Sequence, residues 1–210
     1  MKTLVVAATG FEIKNLLKHF NLAERNLIET PAFDVLITGV GMTATAFALG
    51  QQLHADKYSL VLNLGIAGSF KPELPPGTLV QVSTDTFSEL GAEDATQFLP
   101  IEALGFGQST YAAISMEQPA QTNLQLAKGI TVNKVHGHQP SIDAVKTRLS
   151  PDIETMEGAA VLYACHQLEI PCMQIRAISN FVEPRNKGNW KIDLAIENLN
   201  TWAIRFLTKE

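Results

Sequence analysis

Apolar residues along this chain fall into two patterns, short continuous runs and runs spaced by three and four. Residues 3–9 are a block of Val, Leu and Ala, as expected of a strand buried on both faces. Gly10 ends it. Ile13, Leu16, Leu17 and Phe20 then recur at helical spacing, so residues 12–20 are predicted to form an amphipathic helix. Residues 33–38 are predicted as a second strand, running into Gly39 and Gly41 and a helix over 42–55. A third strand, 60–64, meets the glycine-rich stretch 65–69, predicted as a turn. Three strands in succession thus run into glycines, a more informative pattern than any single Gly-rich motif.

Pro72, Pro75, Pro76 and Gly77 mark a loop. Residues 78–82 are the next strand, and 88–109 are predicted to be irregular, with Gly91, Pro100, Gly105 and Gly107. A long loop inside a compact domain is usually functional. A strand over 129–135 and a short helix over 141–149 follow. Glu154 and Glu157 stand at the head of another predicted helix. The strand MQIRAIS ends on Asn180, a polar loop spans 181–189, and 190–207 form a last helix. Its inner face is Ile192, Ala195, Ile196, Leu199, Ala203, Ile204 and Leu207. Alternation of strands and helices predicts an α/β fold, and the absence of a linker or internal repeat predicts one domain over 1–210.

Composition narrows the function. Of the 210 residues, 46% are hydrophobic and 18% charged, which implies a large core. The net charge is −5 with no basic run, which argues against nucleic acid as a partner. No apolar run approaches the ~20 residues of a membrane span, and the N-terminus lacks the marks of a signal peptide. Cys165 and Cys172 form neither a disulfide framework nor a metal-ligand spacing, and are expected to be reduced core thiols in a cytoplasmic protein.

The candidate chemistry lies at strand ends. Glu12 either complements a helix dipole or acts as a general base. Glu157, before Gly158-Ala159-Ala160, either caps a helix or accepts hydrogen bonds from a sugar diol. Asn180 either shapes a turn or offers an amide donor and acceptor to a ring. The stretch 65–69, with Gly68, is either a tight turn beside a ligand or a set of backbone donors for phosphate. His136 and His138 have the spacing of a metal pair but no evident third ligand, so no metal is expected.

Taken in order, the early Glu12, NLGIAGS, ETMEGAA and RAISN resemble the purine nucleoside phosphorylase/nucleosidase superfamily over nearly the whole chain. TFSELGAED, TVNKVHG and SNFVEPRNKGNW are most similar to its futalosine hydrolase branch. The resemblance implies a three-layer α/β/α sandwich around a mixed, partly barrel-like sheet. It implies that Glu12 activates water, that Met156 and Glu157 hold the ribose, and that Asn180 stabilises the departing purine. Methylthioadenosine/adenosylhomocysteine nucleosidases carry an Asp at the position of Asn180. An Asn there points to a 6-oxopurine such as hypoxanthine. Asn63 and Ile66 stand where phosphorylases of this fold have phosphate-holding Arg and Ser, which points to hydrolysis. Gly68 and Phe181 are further candidate substrate contacts. Arg185 is a candidate for the carboxylate of the substrate's benzoate arm or, alternatively, a partner for Glu183. The implied reaction is cleavage of futalosine to hypoxanthine and dehypoxanthine futalosine, a step toward menaquinone, by a homo-oligomer without metal or cofactor. The rivals are a methylthioadenosine/adenosylhomocysteine nucleosidase and a non-catalytic nucleoside-binding protein.

Overall fold

The structure, a computed structural model, describes residues 1–114 and 122–208. In chain order the elements begin with β1 (Lys2–Ala7), α1 (Lys14–His19), β2 (Leu27–Glu29) and β3 (Phe33–Ile37). Next come α2 (Met42–Gln52), β4 (Tyr58–Ser69), β5 (Leu79–Phe87), β6 (Gly91–Asp94), β7 (Gln97–Pro100) and β8 (Thr110–Ala112). They continue with β9 (Gln125–Thr131), α3 (Gln139–Leu149), β10 (Ile153–Thr155), α4 (Gly158–Gln167), β11 (Cys172–Phe181) and α5 (Ile192–Thr208).

The main sheet runs β10-β9-β5-β11-β4-β1-β3-β2, with β8 on β5. It is mixed: β1 is parallel to β3 and β4, while β11 is parallel to β4 and antiparallel to β5. A second pairing, β10 to β4, closes β10, β9, β5, β11 and β4 into a barrel. The fold is therefore an α/β sandwich with a partly barrel-like sheet.

Strand alternation divides the core. Val5 and Ala7 of β1 face the layer that buries Leu16 and Leu17 of α1 and Ala195, Leu199 and Ala203 of α5. Leu4 and Val6 face the other side, with Leu49 of α2 and Val161, Leu162 and Cys165 of α4. Each fully buried Leu or Val contributes about 2 kcal/mol, so the central strands are stabilised on both faces.

Several expectations need correction. Residues 65–69 are not a turn: β4 runs through them to Ser69. The glycines are there for close approach. A Cβ on Gly65 would lie 1.9 Å from Arg176 Nη1 and 3.0 Å from Glu12 Oε1, and one on Gly68 would lie 2.9 Å from Val182 Cγ2. Glycine inside a strand marks such crowding as readily as a turn. Residues 88–109 are not wholly irregular, because β6 and β7 pair there as a small hairpin. Glu154 does not head a helix. It belongs to β10, and only Glu157 sits at the N-terminus of α4. The predicted strand over 129–135 begins earlier, as β9, and ends at Thr131.

Candidate active site

The site begins with β1. After Ala7 the chain turns, and α5 pins that turn from below. Buried Asn200 donates from Nδ2 to the Glu12 carbonyl and accepts the Leu16 N–H on Oδ1, each at 2.8 Å. Glu12 is thereby held with its carboxylate inward and almost fully buried. Its Oε2 accepts from the Thr9 N–H and hydroxyl, both at 3.1 Å, and its Oε1 from the Ile66 N–H at 3.1 Å. Burial raises the Glu12 carboxyl above its ordinary value. The Arg176 charge and the Ile66 hydrogen bond pull it down, Glu157 pushes it up, and burial wins.

Arg176 was not singled out in the sequence. It lies on β11 opposite Gly65 of β4 and is only 2% exposed. Its Nε and Nη2 have no partner among the described residues. The signal for it was a lone cation in the buried-looking strand MQIRAIS. Burying a guanidinium is costly without nearby anions, and Glu12 and Asp85 both feel its charge.

Glu157 lies at the start of α4, and its Oε1 accepts the Gly41 N–H at 2.8 Å. That contact ties α4 to the β3–α2 connection and leaves Oε2 for a ligand. Across the site, Asn180 pairs in register with Gly68. Its Oδ1 accepts from the Ser179 hydroxyl at 2.7 Å, and its Nδ2 donates to the Phe181 carbonyl at 2.9 Å. One amide hydrogen remains for a ligand.

Glu12, Gly68, Met156, Glu157 and Asn180 line one cavity of about 330 Å³. Phe11, Val40, Ile66, Val135, Trp190 and Ile192 supply much of its apolar surface. Phe181 is not in the lining, although its strand neighbours Ser179 and Asn180 both are. Arg185 is also outside the lining. Its guanidinium packs over the Trp190 ring, 5.2 Å from the centroid. Glu183 accepts instead from Asn189 Nδ2 at 2.8 Å.

His136 and Glu154 also line the cavity. His136 Nδ1 lies 2.6 Å from Glu154 Oε2, and the His136 N–H donates to Oε1 at 3.1 Å. The spacing of His136 and His138 suggested a metal pair. His138 instead occupies the N-cap of α3, and among the described residues no group of three or more His, Cys, Asp or Glu could hold a metal. Nor is any described helix long and apolar enough to cross a membrane.

The geometry joins a buried carboxyl, a second carboxylate and an amide around a mostly apolar chamber. That set can activate a water, grip a diol and polarise a ring. Comparison with known proteins agrees in kind. A futalosine hydrolase from Streptomyces coelicolor is 35% identical over 176 residues, 80% of this chain and 75% of the relative. A futalosine hydrolase from Thermus thermophilus is 29% identical, over 90% of this chain and 87% of the relative. A crystal structure of 5'-methylthioadenosine/S-adenosylhomocysteine nucleosidase from Helicobacter pylori, with butyl-thio-DADMe-Immucillin-A, superposes with a TM-score of 0.82. The identity is 14%, and the match covers 100% of this chain and 99% of that one. The profile described as Phosphorylase superfamily matches residues 2–208, and the chain belongs to that superfamily.

Proposed function

We propose that residues 1–210 act as one nucleosidase unit that hydrolyses the N-glycosidic bond of futalosine, releasing hypoxanthine. The observation that carries this reading is the meeting of Glu12, Glu157 and Asn180 around one cavity, in a chain 35% identical to a futalosine hydrolase. Glu12, its carboxyl raised by burial, takes a proton from the attacking water. Glu157 accepts hydrogen bonds from the ribose diol, and Met156 packs on the sugar. Asn180 donates its free amide hydrogen to the purine as negative charge builds there. The transition state has oxocarbenium character at the sugar, so two nearby carboxylates also favour it electrostatically.

Water rather than phosphate is the acceptor. Among the described lining residues there is no Lys or Arg, while three are glutamates, an arrangement that repels a phosphate dianion. Arg185, packed on Trp190, offers a bidentate donor to a carboxylate on the substrate's far arm.

A homo-oligomer is supported by exposed apolar side chains. Val40, Phe47 and Phe106 are each more than half exposed, and Phe106 lines a second cavity of about 660 Å³ with Met42, Phe87 and Tyr163. The free thiols Cys165 and Cys172 fit a cytoplasmic enzyme.

The test incubates the purified protein with futalosine, methylthioadenosine and inosine and follows free base by chromatography. Hypoxanthine should be released from futalosine at a rate indifferent to added phosphate. Glu12→Gln should lower kcat by about 100-fold or more at unchanged melting temperature. Preferential cleavage of methylthioadenosine would assign the chain to the sibling nucleosidases. A requirement for phosphate would make it a phosphorylase, and no release from any substrate would leave a binding protein.

A further inference from the structure

We infer that His136, held by Glu154, is a specificity-determining residue that reads the N1–H of a 6-oxopurine. This rests on the 6-oxopurine reading above and adds the group that distinguishes it from a 6-aminopurine.

Position comes first. Gly68 of β4 pairs with Glu154 of β10 on one side and with Asn180 of β11 on the other. A Cβ at Gly68 would lie 3.3 Å from Asn180 Nδ2 and 3.5 Å from Glu154 Cγ. Glu154 and Asn180 therefore flank the same point of the cavity wall. Glu157 is tied instead to the β3–α2 connection, where it accepts from Gly41. If Asn180 faces the base, so do Glu154 and the histidine it holds.

Chemistry comes second. A carboxylate only accepts hydrogen bonds, so the ring nitrogen 2.6 Å from Glu154 Oε2 carries the hydrogen. Glu154 Oε1 is taken by the His136 backbone N–H, so both carboxylate oxygens serve this one residue. The imidazole is further fixed by the edge of Phe70, with centroids 6.3 Å apart. In the neutral ring, Nε2 is then a bare acceptor, and it makes no hydrogen bond among the described residues. His136 is also the only basic side chain among the described residues of the cavity lining.

A 6-oxopurine presents N1–H, a donor that matches this acceptor. A 6-aminopurine presents an unprotonated N1, so two lone pairs would face one another in a mostly apolar chamber. Leaving such a group unmatched typically costs a factor of about 10 to 100 in binding. Asn180 does not make this distinction alone, because its one free amide hydrogen can be donated to N7 of either base. Glu154 acts through His136 and is a positioning residue.

The experiment compares wild type, His136→Ala, Glu154→Gln, Glu154→Ala and the double variant His136→Ala/Glu154→Ala. Each is assayed for kcat and KM on inosine and adenosine, and for the Kd of free hypoxanthine and adenine by calorimetry. Thermal melts identify any variant that fails to fold. His136→Ala should lower the hypoxanthine-over-adenine preference by about 10-fold or more, chiefly through Kd and KM. Glu154→Gln, which keeps an acceptor for Nδ1–H, should retain most of the preference, and Glu154→Ala should lose it. In the His136→Ala background, Glu154→Ala should change the preference no further. A preference unchanged in folded His136→Ala, or equal weakening for both bases, would overturn the inference. The base-binding arm is independent of turnover. Absent nucleoside cleavage would sink the proposed reaction, while the two Kd values would still decide the role of His136.

Discussion

Replacing Asp85 by Asn should flatten the dependence of stability on pH. Asp85 is fully buried in the barrel. Its carboxylate accepts from Gln174 Nε2 and from the Thr131 hydroxyl, both at 2.9 Å. Burial outweighs these bonds and the Arg176 charge, and lifts the group from an ordinary 3.8 to about 6. The native state therefore binds a proton that the unfolded chain has lost between about pH 4 and pH 6. Stability from this group is fully present below 3.8 and is lost as pH rises through about 6. At about 1.4 kcal/mol per pH unit, the loss amounts to about 3 kcal/mol. Asn is neutral throughout. It can still accept from Thr131, and its amide can donate to Gln174 Oε1, which now has no partner among the described residues, once the Gln174 amide turns over. Whatever Asp85→Asn costs at pH 4, the variant should recover about 3 kcal/mol relative to wild type by pH 8. Urea unfolding at intervals from pH 4 to 8 measures this directly. Parallel wild-type and variant curves across that range would refute it.

Two further outcomes follow from the charges around the sheet. Arg176→Met removes the cation that holds the Glu12 carboxyl down, so the acid limb of kcat/KM should move to higher pH. A limb that stays in place in a folded variant would show that Arg176 does not act on Glu12. Asp34 is wholly buried and meets Lys2 Nζ at 3.0 Å, Lys57 Nζ at 3.1 Å and the Tyr58 hydroxyl at 3.0 Å. Burial works against its ionisation, yet these partners hold it below the ordinary 3.8. Its contribution is therefore present above that value and fades as pH falls. Asp34→Ala should cost about 3 kcal/mol at pH 7 and less at pH 3, as read from urea midpoints.

The parts of the fold that could be read from the sequence are those governed by local pattern. The apolar block of β1, the helical spacing of α5 and the strand ending near Asn180 were visible because each buries a face defined by its own residues. The stretch 65–69 was misread for a physical reason. Glycine tolerates a turn and a crowded strand alike, and only the distant Arg176 and Glu12 decide between them. The hairpin of β6 and β7 was hidden because its residues are mostly exposed and have no buried face to impose alternation. At the site, Glu12, Glu157 and Asn180 stood out as polar groups at element ends. Glu154 stood beside Glu157 in the sequence, but its role depends on pairing with β4 and on a histidine eighteen residues away. Asn200 looked like one more polar residue of a helix, yet it carries the turn that presents Glu12.

The closure of the barrel has a consequence for how the molecule breathes. β10 meets β4 through only two registered pairs, Ile153 with Ser69 and Glu154 with Gly68, whereas β11 meets β4 along nine. The seam is thus the thinnest stave joint, and it opens directly onto the cavity. Local opening there should let the amides of β10 exchange with solvent sooner than those of β11. A ligand that bridges the two edges would clasp the joint shut, so occupancy of the site and integrity of the barrel rise and fall together.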